Sequence, residues 1–93
     1  MSNIQQKSVD LIIINQYGIH ARPAALLAKV ASKYESEIII EKDDVKISGK
    51  SIMGLLTISA GCGTKIKITA EGSDSEQAIA ELQELIQHKF YEE

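Results

Sequence analysis

The spacing of apolar residues changes period several times along the chain, and each change predicts a new element of secondary structure. Residues 9–14 form an apolar run rich in β-branched side chains, which predicts a strand ending in a turn at 15–18. Over residues 24–34 the period lengthens to that of a helix. The apolar positions on the predicted face of this helix are Ala24, Leu27, Val30, Ala31 and Tyr34.

The middle of the chain predicts a hairpin followed by a short helix. Residues 37–41 and 45–48 have the composition of strands, and the polar segment 42–44 between them is typical of a tight connection. Residues 51–58 are apolar and too few for more than a short helix. The apolar residues at helical spacing in this segment are Ile52, Leu55 and Leu56.

The last third of the chain predicts a turn, a strand and a final helix. Residues 61–63 are a glycine-rich turn, and residues 65–70 alternate between polar and apolar as a half-exposed strand does. Ser73 and Glu76 have the spacing of a capping box, so we expect the final helix to begin there. Its apolar stripe is formed by Ile79, Leu82, Leu85, Ile86 and Phe90.

The predicted order of elements is strand, helix, strand, strand, helix, strand, helix. One sheet covered on one face by the helices satisfies this order, so we expect an α+β two-layer domain. We expect a single domain over residues 1–93, with residues 1–6 as a short N-terminal extension. A chain of this size buries only about 60–65% of its unfolded surface, which leaves no room for a deep cleft between lobes.

Composition and charge narrow the classes of function. The net charge of −3 opposes broad binding to nucleic acid or to anionic membranes. Cys62 is the only cysteine, which excludes an intrachain disulfide and a cysteine-based metal cluster, and we expect neither a metal nor a cofactor. No segment approaches the ~18 apolar residues of a membrane span or resembles a signal core, so we expect a cytoplasmic protein without membrane insertion.

The residues most indicative of chemistry lie where the first strand meets the first helix. Arg22 and Pro23 are the only arginine and the only proline, and both lie within three residues of His20. Pro23 fits the first turn of a helix, so the helix should begin close to Arg22 or Pro23, with His20 at or just before the N-cap. A helix N-terminus and a guanidinium both attract phosphate, and the positive helix end favours a neutral, nucleophilic imidazole.

These residue types leave two functions open, anion binding and phosphoryl transfer. An arbitrary histidine beside a turn is more often a solvated or capping residue than a reactive one. A third reading is an enzyme such as a histidine-dependent phosphatase. We disfavour it because the sequence offers no acidic residue near His20 that could act as the second catalytic group.

Two segments resemble the motifs of one known family, the histidine-containing phosphocarrier (HPr) family of the phosphoenolpyruvate phosphotransferase system. Residues 15–24, Asn-Gln-Tyr-Gly-Ile-His-Ala-Arg-Pro-Ala, resemble its active-site signature, and residues 49–56, Gly-Lys-Ser-Ile-Met-Gly-Leu-Leu, resemble its regulatory-serine motif. The resemblance implies an open-faced βαββαβα sandwich with a four-stranded antiparallel sheet. It also implies that His20 is phosphorylated on Nδ1 by enzyme I, that Arg22 helps to hold the phosphate, and that IIA proteins or domains receive it.

The same resemblance implies regulation and a docking surface. Ser51 would be the site of an HPr kinase/phosphorylase, although its residue type alone favours a simple N-cap. The partner-binding residues would be Ala25, Lys29, Ile52, Met53 and Leu56. From the pattern alone, the apolar members of this set would be assigned to the core, with at least one left exposed.

The branch of the family stays open at this point. The serine motif resembles the sugar-transport form, whereas residues 85–93 resemble carriers of the nitrogen-related branch, which are mainly regulatory. A protein that acts only by binding partners is the alternative, and the presence of His20 argues against it. We expect a carrier with a covalent phosphohistidine intermediate and not a stand-alone enzyme, and we expect a monomer.

Overall fold

The computed structural model describes residues 5–92, and these residues form four strands and three helices in the predicted order. Of the predicted extension over residues 1–6, residues 1–4 lie outside the described part. The elements are β1 (Gln6–Ile12), α1 (Ala21–Ser32), β2 (Glu37–Lys42), β3 (Val45–Ser48), α2 (Ile52–Thr57), β4 (Lys65–Glu71) and α3 (Ser75–Gln87), followed by a short turn over Lys89–Tyr91. None of the helices in this part of the chain is long and apolar enough to cross a membrane.

The four strands form one antiparallel sheet in the order β1-β4-β2-β3. β4 therefore lies inside the sheet, where Ile68 is opposite Val9 of β1 on one side and Ile40 of β2 on the other. Ile66, Ile68 and Ala70 are buried, whereas Lys65 and Lys67, which alternate with the isoleucines, are exposed. The helices cover only the apolar face, which confirms the predicted α+β sandwich.

A cluster of polar side chains connects the C-terminal end of α1 to α3. The Glu81 carboxylate accepts hydrogen bonds from Lys33 Nζ at 2.5 Å and from the Tyr34 hydroxyl. These two hydrogen bonds lower the pKa of Glu81, and the bond to Glu81 raises the pKa of Tyr34 to about 12. The cluster fixes the C-terminal end of α1 against the second turn of α3.

The start of α3 differs from the prediction. The N-cap is Asp74, so the expected capping box of Ser73 and Glu76 is wrong. The Asp74 carboxylate accepts hydrogen bonds from the loop before β2 instead: from the backbone N–H of Glu35 at 2.9 Å, and from the N–H and hydroxyl of Ser36 at 3.0 and 2.5 Å. The Asp74 carboxylate therefore connects the α1–β2 loop to the start of α3.

Replacing Asp74 with asparagine should lower stability in a pH-dependent way. The hydrogen bonds from Ser36 and Glu35 lower the pKa of Asp74 below its ordinary value of 3.8. A carboxyl whose pKa is lower in the folded state contributes stability above the unfolded value and loses it as the pH falls through the folded value. In urea unfolding, we expect Asp74→Asn to have a lower free energy of unfolding than the parent protein. This difference should be full at neutral pH and should shrink as the pH falls below 3.8, the ordinary pKa of an aspartate.

The matched control for this prediction is Asp44→Asn, which makes the same change of charge at the exposed tip of the β2–β3 hairpin. Its unfolding midpoint should follow the parent protein across the pH range. An Asp74→Asn deficit that stays constant down to the acid limit would show that the lowered pKa has no part in the effect.

The final turn also departs from the predicted helix. α3 ends at Gln87, and Lys89, Phe90 and Tyr91 follow with φ values of 57°, 57° and 58°, so the chain coils in the left-handed sense. Phe90 was expected to continue the helical stripe, which is wrong, yet its side chain is fully buried in the core. The left-handed turn reverses the chain and brings Glu92 to the strand–helix junction that contains His20.

Candidate functional site

His20 lies at the beginning of α1, as predicted. It is the N-cap residue, with an extended backbone (φ −95°, ψ −164°), and its carbonyl accepts the first helical hydrogen bond from the N–H of Ala24 at 2.9 Å. The helix begins at Ala21, one residue earlier than the expected start at Arg22 or Pro23. Pro23 is still accommodated in the first turn, because the N–H groups of that turn have no intrahelical acceptor.

The loop before the helix is held by backbone hydrogen bonds to the opposite loop. Ile19 N–H donates to the Ala60 carbonyl at 2.8 Å, and Gly18 N–H donates to the Asn15 carbonyl at 3.1 Å. Gly18 has φ +67°, in the left-handed region that favours glycine, and this lets the chain turn sharply between β1 and α1. The backbone position of His20 is therefore set by the fold, independently of its side chain.

The His20 side chain is 42% exposed, so its ring can meet a partner molecule. Nε2 lies 2.9 Å from Oε2 of Glu92, and the ring of Tyr17 stands edge-on to it at 6.2 Å between centroids. The expectation that no acidic group lies near His20 is wrong, since Glu92 arrives from the far end of the chain. Among the described residues, the ring makes no hydrogen bond through Nδ1.

Asn15 links the loop, the C-terminal turn and the histidine. Its side chain is almost fully buried, and Nδ2 donates to the Gly18 carbonyl at 2.8 Å and to Oε1 of Glu92 at 3.0 Å. Glu92 therefore uses one carboxylate oxygen for Asn15 and the other for His20. This arrangement fixes the orientation of the carboxylate, because two hydrogen bonds to different oxygens determine its plane.

Arg22 lies in the first turn of α1 and its side chain is exposed. It lines an open cleft of about 400 Å³ together with residues from the loop and the C-terminal turn. The other lining residues are Asn15, Gln16, Tyr17, Tyr91 and Glu92. A guanidinium beside a helix N-terminus suits an anion with several oxygens. Within residues 5–92, no group of three or more His, Cys, Asp or Glu side chains could hold a metal ion.

Ser51 is the N-cap of α2, and its hydroxyl oxygen accepts a hydrogen bond from the N–H of Gly54 at 2.9 Å. The capping role that its residue type favoured is confirmed. The hydroxyl remains only partly buried, so its regulatory role stays a prediction.

The residues expected to bind partners are accessible to differing degrees. Met53 is 70% exposed and Ile52 is 45% exposed. The expectation that at least one apolar residue of the set is exposed is confirmed, and the assignment of these two to the core is wrong. In α2 it is Leu55 that fills the core. The remaining members of the set are Ala25 and Lys29, which are exposed, and Leu56, which is partly buried.

Sequence reasoning missed Asn15 as a site residue and missed Glu92 altogether. Asn15 carries a usable signal, because a polar residue that ends an apolar strand before a glycine turn often bonds the turn backbone. Glu92 carries none, since the contact joins residues 72 positions apart in the chain. Only the tertiary fold brings the two together.

Comparisons with known proteins agree with this geometry. Residues 7–88 match the family model for the PTS HPr component phosphorylation site. The chain is 49% identical over 78 residues to the phosphocarrier protein HPr of Borreliella burgdorferi, covering 84% of this chain and 91% of the relative. It is 41% identical over 81 residues to the phosphocarrier protein HPr of Treponema pallidum, covering 87% and 92%.

A solved structure is similar over nearly the whole chain. The crystal structure of HPr-C-His from Thermoanaerobacter tengcongensis has a TM-score of 0.91 at 48% identity, and the match covers 94% of this chain and 98% of that one.

Proposed function

This chain belongs to the HPr family of phosphotransferase-system phosphocarriers, and from that premise we propose that it carries a phosphoryl group on His20 Nδ1 between two partner proteins. The donor is enzyme I, charged by phosphoenolpyruvate, and the acceptor is a IIA protein or domain. The observation that supports this most is the position of His20 as the half-exposed N-cap of α1. We infer that the carrier acts as a monomer in the cytoplasm.

The proposed transfer uses the helix end and the guanidinium. The lone pair on Nδ1 attacks the phosphorus of the donor, and the donor's bond to phosphorus breaks with its electron pair leaving on the donor. The phosphoryl oxygens would meet the N–H groups of the first turn of α1 and the Arg22 side chain, which stabilise negative charge. In the second half of the cycle, the N–P bond breaks and the acceptor's nucleophile takes the phosphoryl group.

Apolar residues of α2 that reach the surface fit a docking role. Ile52, Met53 and Leu56 offer apolar surface on α2, and Ala25 and Lys29 offer surface on α1, which packs beside α2. Donor and acceptor must each reach the same phosphorus, so both would bind over this surface in turn. An exposed methionine suits a surface that receives different partners, because its side chain adapts in shape.

The proposed regulation acts at the edge of the same surface. A phosphate on Ser51, added by an HPr kinase/phosphorylase, would replace the hydroxyl that caps α2 and accept from the Gly54 N–H. It would also place about two negative charges next to Ile52 and Met53. Partners that bind this apolar surface would then bind less tightly.

The test is labelling with radioactive phosphoenolpyruvate and enzyme I. We expect the protein to gain an acid-labile phosphate, His20→Ala to gain none, and Ser51→Ala to be labelled as the parent is. Arg22→Ala should be labelled more slowly, by about tenfold, because a charged hydrogen-bond donor to phosphate is lost. Acid-labile labelling of His20→Ala at the parent's rate would refute the proposal.

The acceptor decides between the two branches of the family. If the labelled carrier passes its phosphate to a sugar-specific IIA protein, the transport role holds. If only a nitrogen-branch IIA protein accepts it, the protein is a regulatory relay, as the resemblance of residues 85–93 allows.

A further inference from the structure

We propose that Glu92 is a positioning residue for phosphoryl transfer: its carboxylate holds the His20 ring with Nε2 protonated, so that Nδ1 carries the lone pair. This inference rests on the proposed function and adds the residue that prepares the histidine for it. The contact that supports it is the 2.9 Å hydrogen bond between Nε2 and Oε2 of Glu92.

The Glu92 carboxylate is held in place by a second hydrogen bond and by burial. Oε1 accepts from Asn15 Nδ2 at 3.0 Å, and Asn15 is itself buried and bonded to the Gly18 carbonyl at 2.8 Å. The Glu92 side chain is only 18% exposed, compared with 42% for His20. A surface glutamate that merely happened to approach a histidine would have neither the second hydrogen bond nor the burial.

The position of Glu92 is also determined by the turn that precedes it, because this turn is anchored in the core. Phe90 is fully buried, and the left-handed coil of Lys89–Tyr91 carries the chain back over the site. His88 and Tyr91 stack at 5.4 Å between ring centroids, which closes the turn on its outer side. Glu92 is therefore presented by a folded turn, two residues after a core side chain.

The chemistry follows from what a carboxylate can do. An ionised carboxylate only accepts hydrogen bonds, so the nitrogen that faces it must carry a proton. In a neutral imidazole, a proton on Nε2 leaves the lone pair on Nδ1. The contact therefore selects the one neutral tautomer in which Nδ1 is the nucleophile.

The same contact favours the product of the attack. When Nδ1 forms its bond to phosphorus, the donor's leaving group departs with its electron pair, and the ring keeps the proton on Nε2. The ring then carries a formal positive charge, which the Glu92 carboxylate opposes directly. The carboxylate lies at Nε2, on the other nitrogen from the phosphoryl group, so it can stabilise the ring without occupying the place of the phosphate.

The experiment compares the parent protein with Glu92→Gln and Glu92→Ala, and uses Glu84→Gln as the matched control. Glu84 is exposed on α3, so this variant loses the same charge away from the site. Nitrogen-15 NMR of the unphosphorylated ring reports which nitrogen carries the proton. Rapid-quench labelling by charged enzyme I reports the rate constant for transfer and the KM for the donor.

We expect the parent and Glu84→Gln to hold the proton on Nε2, and both Glu92 variants to show a mixture of tautomers. The rate constant for transfer should fall about tenfold in the Glu92 variants, the lower end of the effect of losing a carboxylate that orients a metal-bound imidazole. The KM for enzyme I should change by less than about twofold, because the docking surface is intact.

Parent-like tautomers in both Glu92 variants would overturn the inference, and so would a transfer rate constant equal to that of Glu84→Gln. A change in KM alone would also overturn it, because it would assign Glu92 to docking. Failure of the proposed function looks different. In that case the parent protein takes no phosphate from enzyme I, while the NMR comparison still reports whether Glu92 selects the tautomer.

Discussion

Replacing Gly18 with alanine is expected to lower the free energy of unfolding by about 3 kcal/mol or more. The added Cβ would lie 2.4 Å from the Ala60 carbonyl oxygen and 2.6 Å from Gly61 Cα, and both are backbone atoms that cannot rotate away. Gly18 also has φ +67°, where an L side chain is strained. The loop would have to leave Ala60, and the Ile19–Ala60 hydrogen bond of 2.8 Å would be lost with it.

Gly61→Ala is the matched control for Gly18→Ala. It adds the same methyl group on the other side of the same loop contact, where a Cβ would meet nothing within 4 Å. Its unfolding free energy in urea should stay within about 0.5 kcal/mol of the parent. Equal losses in the two variants would mean that the clash with Ala60 is not the cause.

Replacing Phe90 with alanine is expected to cost about 3–5 kcal/mol, the usual range for removing a buried aromatic side chain. Phe90 is fully buried and belongs to the core cluster, so its removal leaves a cavity beneath the C-terminal turn. Alanine at this position keeps the same φ of 57°, so the change relieves no backbone strain. Thermal or urea unfolding of the variant measures the loss directly.

Tyr91→Ala is the comparison for Phe90→Ala. It removes a neighbouring aromatic ring from the same turn, but Tyr91 is 62% exposed, so the loss should be within about 1 kcal/mol. A Phe90→Leu variant, which keeps most of the apolar volume, should fall between the two. If Phe90→Ala is as stable as Tyr91→Ala, the C-terminal turn does not contribute to the core.

The features that sequence reasoning predicted well are those determined by neighbouring residues. The alternation over residues 65–70 fixed the two faces of β4, and Pro23 indicated the helix start that makes His20 an N-cap. Two motifs in the right order then identified the family. Each of these signals is contained within about ten residues, where local geometry decides the outcome.

The features that it predicted poorly depend on contacts between distant segments. Ser73 and Asp74 are both good N-cap residues, and hydrogen bonds to the loop before β2 favour Asp74. Ile52 and Met53 resemble core residues in composition, yet in the six-residue α2 only Leu55 is fully buried. Glu92 reaches His20 because Phe90 anchors a left-handed turn. No local sequence pattern predicts this turn.

The strand order has a consequence for how the chain can fold as it is made. β4 lies between β1 and β2, so in this sheet the first strand has no ladder of its own until residues 65–71 are available. A growing polypeptide can form the β2–β3 hairpin and nascent helices early. β1, however, cannot pair until β4 has been synthesised. Such late, distant pairing slows folding relative to local contacts. Ribosome-bound chains ending before residue 71 should therefore remain open to proteases at β1.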